Sequence, residues 1–168
     1  LPKKPVMLYR IFKFLFTLTV KGYFRSIYIK GQEHIPKSGP VIFVANHTSA
    51  FMDPIVLGVY VPRELYFLAR GDVFKKKLAA KFFSRINMLP IYRREDMPEE
   101  MHKNEQIFEK CFEHLANNKT ILIFPEGISL TERRLRPIKT GAARIALGAE
   151  FNNGFDLGVQ IVPIGINY

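Results

Sequence analysis

Short, largely apolar runs alternate along the chain with longer segments in which apolar residues recur every three or four positions. The runs are Val41–Ala45 (VIFVA), Leu65–Ala69 (LYFLA), Met88–Tyr92, Thr120–Phe124 (TILIF) and Val159–Ile164 (VQIVPI). Each has the length of a buried strand, and Ser38-Gly39-Pro40 forms a turn into the first. Between them, helical spacing predicts Ile55–Val61, with Pro54 at the helix start and Asp53 as N-cap. A second helix is predicted over Phe74–Ile86, with Lys75, Lys76 and Lys77 on its outer face. A third buries the stripe Met101, Phe108, Cys111, Phe112 and Leu115, after a capping box at Asp96 and Glu99. A fourth covers Gly141–Leu147 and ends near Gly148. Strands apolar on both faces and separated by helices indicate an α/β layered domain. No repeat or linker divides it, and the gaps leave the strand order open.

Ahead of the first strand, Met7–Ile29 is rich in Phe, Leu, Ile and Tyr, yet its longest charge-free run is Phe14–Val20. A membrane span needs about 20 apolar residues, so this segment is too short to be one. It also lacks the small-residue cleavage site of a secretory signal. On a helix, Arg10, Lys13, Thr17, Lys21 and Arg25 fall in a narrow stripe, and Ile11, Phe12, Leu15, Phe16, Leu18 and Val20 fill the remainder. Such a helix can lie in a lipid headgroup layer, or pack as a surface helix on its own core. Residues 1–26 are read as a membrane-associating amphipathic helix and 27–168 as the globular domain. The chain opens at Leu1 without an initiator methionine and stops just after an apolar run, and so reads as a piece of a longer protein.

Composition narrows the class. With 48% hydrophobic and 24% charged residues in 168, the chain is a folded domain rather than a disordered one. One cysteine, Cys111, excludes an internal disulfide and a cysteine-based zinc cluster, and fits a reducing compartment. The net charge of +10 is clustered: seven cations precede the first acid, Glu33, and seven more lie in 71–94 against Asp72 alone. Arg133, Arg134, Arg136, Lys139 and Arg144 form a third group. These patches suit phosphate-bearing partners, namely nucleic acid, anionic lipid or small phosphorylated substrates. No helix-turn-helix, RNA-recognition or zinc-finger signature is present, so nucleic acid is not the expected partner.

Polar residues gather where strands end, the usual place for ligands in such folds. Val41–Ala45 runs into Asn46-His47-Thr48-Ser49-Ala50-Phe51-Met52-Asp53. A carboxylate within reach of His47 would fix its tautomer while the other ring nitrogen takes a proton from a hydroxyl. Thr120–Phe124 runs into Pro125-Glu126-Gly127-Ile128-Ser129 and then a cationic stretch, and Met88–Tyr92 into Arg93-Arg94. Glycine after a strand admits a ligand close to the backbone, and the cations can clamp a phosphate. His34, His102 and His114 read as solvated, and the four histidines show no metal-ligand spacing. Cys111, on a helix stripe, reads as a buried inert thiol.

NHTSAFMDP, LPIYRR, FPEGISL with LRPIKTGAARIAL, and IVPI follow one another in the order of the four blocks of the glycerophospholipid acyltransferases, which this chain resembles over roughly Tyr28–Ile166. The resemblance implies a mixed sheet flanked by helices and acyl transfer from a thioester of coenzyme A or acyl carrier protein, with no metal or other cofactor. His47 would be the general base and Asp53 its orienting partner. Arg93, Glu126, Gly127, Ser129, Arg136 and Lys139 would line the acceptor site, and Pro163 would pack near the acyl chain. The implied acceptor is 1-acylglycerol-3-phosphate, with glycerol 3-phosphate or dihydroxyacetone phosphate as the alternative. The implied location is the cytoplasmic face of a membrane. A non-catalytic lipid-binding module and a thioesterase are the competing readings.

Two departures stand out. Five residues, Thr48–Met52, separate His47 from Asp53, where the commonest first block has four. A bulge or added turn must absorb the extra one, and the spacing resembles a branch with dual-specificity glycerol-3-phosphate and dihydroxyacetone-phosphate enzymes. The third block continues Ile128-Ser129 where Thr-Arg is usual, so Arg133, Arg134 or Arg136 is expected to replace the missing arginine.

Overall fold

A computed structural model describes residues 6–130 and 134–168. Among the described residues, five α-helices and five strands alternate in chain order: α1 (Val6–Tyr23), β1 (Val41–Ala45), α2 (Met52–Tyr60), β2 (Leu65–Arg70), α3 (Lys77–Arg85), β3 (Met88–Ile91), α4 (Asn104–Ala116), β4 (Thr120–Ile123), α5 (Gly141–Asn152) and β5 (Gln160–Ile164). The strands form one sheet in the order β3-β2-β4-β1-β5. Every pairing is parallel, which corrects the expected mixed sheet. The reason is topological: a helix crosses over between each strand and the next, so every strand starts again from the same edge. All five carboxyl ends, with the polar segments that follow them, therefore share one edge.

The central strands β1 and β4 are buried on both faces, whereas β3 is half-buried and β5 is largely exposed. Ile42 of β1 and Ile121 of β4 point into a core with Cys111, Leu115 and Ile145 under α4 and α5. Val41, Phe43 and Ala45 alternate to the other face with Leu57 of α2 and Val61 just past its end. Arg63 ties the opposite edge, donating to the carbonyls of Pro36 (2.7 Å) and Gly39 (2.6 Å) ahead of β1.

Several local expectations are corrected. Phe51, not Asp53, is the N-cap of α2, and Asp53 lies one residue inside the helix with its carboxylate turned back to the loop. The capping box at Asp96 does not form, because Arg93 takes that carboxylate in an ion pair. A 3₁₀ stretch, Pro98–Lys103, leads into α4 instead, leaving Met101 exposed while Ile107 joins the buried stripe. Gly71–Phe74 is likewise 3₁₀, so α3 starts only at Lys77, and none of its residues is buried. Gly148 does not end α5. It sits mid-helix, where its missing Cβ admits the Phe112 ring of α4. His34 and His102 are exposed, as expected. His114 is not: its ring meets Tyr66 edge-on at 4.3 Å and its Nε2 is buried.

Helix α1 packs on α2 by a mixed face, on which Tyr9, Lys13 and Thr17 lie among Phe12, Phe16 and the buried Val20. Lys13 Nζ donates to the Val61 carbonyl (2.9 Å), at the end of α2, and Tyr9 Oη accepts the Leu65 N–H (3.2 Å). Lys13 is therefore engaged inside the fold rather than in an outward cationic stripe, and its burial lowers the amine's pKa. Met7, Ile11, Phe14, Leu15 and Leu18 face outward, with Met7 71% and Phe14 63% exposed. No helix among the described residues is long and apolar enough to cross a membrane.

Candidate active site

Three loops at the carboxyl edge converge on His47. The β1–α2 loop makes an added turn at Ala50-Phe51, closed by the Asp53 N–H donating to the Ser49 carbonyl (3.2 Å). With that turn the five-residue spacer returns Asp53 to His47. The ring Nδ1 lies 2.9 Å from Asp53 Oδ2, which also accepts the Ser49 N–H at 2.8 Å. An ionised carboxylate only accepts, so Nδ1 carries the hydrogen and Nε2 is the nitrogen left to take a proton. The ring stacks on Phe124 at 3.9 Å between centroids, which limits its tilt.

Asp53 is fully buried, which by itself pushes a carboxyl pKa up. Hydrogen bonds from His47, the Ser49 N–H and the Tyr168 hydroxyl outweigh that burial, and the carboxyl titrates below its ordinary value. Tyr168 Oη reaches Asp53 Oδ1 at 2.7 Å. Its own pKa is raised above the phenol range, by burial first and then by the neighbouring carboxylate, so it stays a donor.

The β4 loop supplies the other wall. Glu126 is buried, and its Oε1 accepts the His47 N–H at 3.1 Å, while the Leu130 N–H donates to the His47 carbonyl at 3.3 Å. Gly127 adopts φ +70°, a region that favours glycine, and a Cβ there would lie 3.2 Å from the Lys139 methylenes. Arg93 reaches across from the end of β3 to the Gly127 carbonyl, held on its other side by Asp96. Lys139 lies over Gly127 and pairs with Glu95 at 3.3 Å.

The structure thus brings together His47, Asp53, Glu126, Gly127, Arg93 and Lys139, although β2 separates β3 from β4 in the sheet. Ser129 is half-buried in the same loop. Arg134 is exposed and Arg136 half-buried further along it, and Arg133 lies outside the described residues. Three contributors carried no recognised signal. Asn46 bonds reciprocally with the backbone of Ile166 (2.9 and 2.6 Å) and draws the segment after β5 to the site. Asn104 does the same for Tyr92 (2.9 and 2.7 Å), beside Arg93. Tyr168 is the third. Both asparagines imitate a strand neighbour with a side-chain amide, which offers one donor and one acceptor at strand spacing.

An apolar cleft of about 520 Å³, within the roughly 300–1,000 Å³ of small-ligand sites, is joined to the Asp53 end of the pair through Tyr168. Its walls are the segment from Phe24 to Gln32, the Val56–Val61 side of α2, and β5 with its extension to Tyr168. Pro163 lines it from the sheet's edge strand, where no ladder bond is lost.

Known proteins give a consistent context. The chain is 28% identical over 139 residues to 1-acyl-sn-glycerol-3-phosphate acyltransferase BAT2 of Brassica napus, covering 81% of this chain and 36% of that one. It is 25% identical over 130 residues to the Bacillus subtilis 1-acyl-sn-glycerol-3-phosphate acyltransferase, 77% of this chain and 59% of the other. A shorter stretch of 62 residues is 47% identical to Saccharomyces cerevisiae glycerol-3-phosphate O-acyltransferase 1, or 37% of this chain and 8% of that protein. The chain therefore spans less than two thirds of each of these relatives. The fold matches that of the crystal structure of PlsC, the Thermotoga maritima 1-acyl-sn-glycerophosphate acyltransferase, with TM-score 0.64 and 19% identity over 95% of this chain and 67% of that one. The acyltransferase family model matches residues 26–167, nearly the whole α/β body with His47 and Asp53 inside it, and the chain belongs to that family.

Proposed function

We propose that the chain is the catalytic domain of an O-acyltransferase that moves a fatty acyl group from a thioester of coenzyme A or acyl carrier protein to a hydroxyl of a glycerol phosphate. The supporting observation is the His47–Asp53 pair, closed by an added turn despite its longer spacer. As the acceptor oxygen attacks the thioester carbon, Nε2 of His47 takes its proton and Asp53 balances the imidazolium. The C–S bond then breaks, and the departing sulfur receives the proton. General-base assistance of this kind contributes on the order of 10² to 10⁴ in rate. No covalent enzyme intermediate is needed.

The acceptor proposed is 1-acylglycerol-3-phosphate, in line with the names of the relatives that align over most of the chain. Glycerol 3-phosphate or dihydroxyacetone phosphate is the second reading, favoured by the higher local identity to the yeast glycerol-3-phosphate enzyme. Arg93, Gly127, Ser129, Arg136 and Lys139 border the acceptor's place, with Glu126 holding the His47 backbone. The apolar cleft past Pro163 suits the acyl chain. Labelled acyl-CoA is incubated with the protein and a panel of acceptors. Acceptor-dependent thiol release supports the transferase, acceptor-independent release indicates a thioesterase, and no release leaves a lipid-binding module.

The working location proposed is a membrane surface on its cytoplasmic side. The outward apolar ridge of α1 supports this, as does α3, which exposes Leu78 (84%) and Phe82 beside Lys77, Lys81 and Arg85. Phe12 meets Phe82 edge-on at 5.5 Å, so the two helices present adjoining apolar surface with cations around it. Phe14→Glu with Leu18→Glu should abolish flotation with vesicles containing anionic lipid, and unchanged flotation would exclude α1 as the contact.

A further inference from the structure

Beyond the four sequence blocks, the segment after β5 brings a phenol to the buried carboxylate. We infer that Tyr168 is a positioning residue for proton transfer, acting through Asp53; this rests on the reading of His47 as the base. Its hydroxyl donates to Asp53 Oδ1 at 2.7 Å, on the side of the carboxylate away from the oxygen that holds His47 and the Ser49 N–H. Donors on both oxygens fix the carboxylate plane, and with it the lone pair aimed at Nδ1 of His47. With the phenol in place Asp53 has no exposed surface, so the hydroxyl rather than solvent satisfies Oδ1.

Tyr168 is itself held from two directions. The reciprocal Asn46–Ile166 bonds anchor its segment, and its ring stacks on Phe24 at 5.7 Å with the planes 13° apart. The same ring lines the apolar cleft, so one side chain joins the cleft wall to the catalytic pair. The ionisable groups of the pair and its surroundings are His47 on the β1–α2 loop, Asp53 in the first turn of α2, Glu126 on the β4 loop and Tyr168 itself. Taking one donor from the anion raises the proton affinity of the His47–Asp53 pair, so the acid limb of the rate profile moves to higher pH.

The test compares the wild-type protein with Tyr168→Phe, Tyr168→Leu and His47→Ala in the acceptor-dependent thiol-release assay. Tyr168→Phe keeps the ring, the stack and the cleft wall. Its kcat should fall about tenfold, as for one hydrogen bond to a charge, while both KM values hold within about twofold. The acid limb of kcat/KM should shift upward. Tyr168→Leu should show the same shift, with a raised KM for the acyl donor from the damaged cleft. Wild-type kcat and an unmoved acid limb in Tyr168→Phe, with only Tyr168→Leu impaired, would reduce Tyr168 to packing and overturn the inference. Full activity in His47→Ala would remove the base and this inference together. An inactive His47→Ala beside a normal Tyr168→Phe would remove this inference alone.

Discussion

Asp53→Asn keeps the volume of the buried side chain and removes its charge. Oδ2 accepts two donors, from His47 at 2.9 Å and Ser49 at 2.8 Å, so the amide oxygen takes that position. The amide nitrogen then faces Tyr168, whose hydroxyl can turn to accept. Packing survives, and stability falls by about 1–2 kcal/mol as charge-assisted bonds become neutral ones. The kinetic loss is larger. When His47 holds the proton, imidazolium and carboxylate charges about 4 Å apart attract by about 1 kcal/mol in water and about 4 kcal/mol at an effective dielectric near 20. Asp53 is wholly buried and the His47 side chain only 15% exposed, so the larger value applies. It corresponds to about 10³-fold in rate.

The assay is acceptor-dependent thiol release from acyl-CoA, read with a chromogenic disulfide for wild type, Asp53→Asn, His47→Ala and the double variant. kcat/KM of Asp53→Asn should fall about 10³-fold while the melting midpoint drops by only about 2–8 °C, so the protein remains folded in the assay. The double variant should be no slower than His47→Ala, because the pair acts as one unit. A loss below tenfold would mean that the carboxylate charge does not reach the proton transfer. A double variant that multiplies the two single losses would mean that the residues act separately. Either result refutes the mechanism argued from this geometry.

The remaining expectations concern the loop, the thiol and acid stability. Gly127→Ala places a Cβ at φ +70° against the Lys139 methylenes, costing about 1–2 kcal/mol. It also displaces the carbonyl that Arg93 holds, so activity should fall further than a stability loss visible in a thermal melt would explain. Cys111 has no exposed surface and burial pushes its thiol up to about 12, so native protein at pH 8 should consume no thiol reagent and unfolded protein one equivalent. Rapid labelling with loss of activity would contradict this. Asp53 titrates lower in the folded state than in the unfolded chain, so it contributes stability above the unfolded value of about 3.9, lost as pH falls through the folded value. The stability gap between wild type and Asp53→Asn should therefore be full at pH 6 and shrink below about pH 4; a gap independent of pH would mean that the carboxyl is not depressed.

What could be read from the sequence divides along a physical line. The sequence pattern places each strand to within one residue: β1 and β4 are buried on both faces and so are almost wholly apolar, a local property, and the less buried β3 and β5 still stand out as short apolar runs. It does not set the order β3-β2-β4-β1-β5, which depends on where each crossover helix finds room on the sheet. His47 and Asp53 were visible because their residue types and order are tied to a reaction, and the Ala50-Phe51 turn then accommodated the longer spacer. Tyr168 was not: it lies 115 residues from Asp53 in the chain, and a lone tyrosine after an apolar run announces no partner. Asn46 and Asn104 were missed for a related reason, as their partners are backbone amides, which every residue carries. The amphipathic pattern of α1 showed that the helix has two faces but not which one turns inward. Lys13 settled that by reaching the Val61 carbonyl at the end of α2, an acceptor present whatever the side chain there. Side-chain bonds to a distant backbone thus decide both the active-site geometry and the surface that α1 offers to its surroundings. They leave no periodic trace, because only one of the two partners is written in side-chain identity.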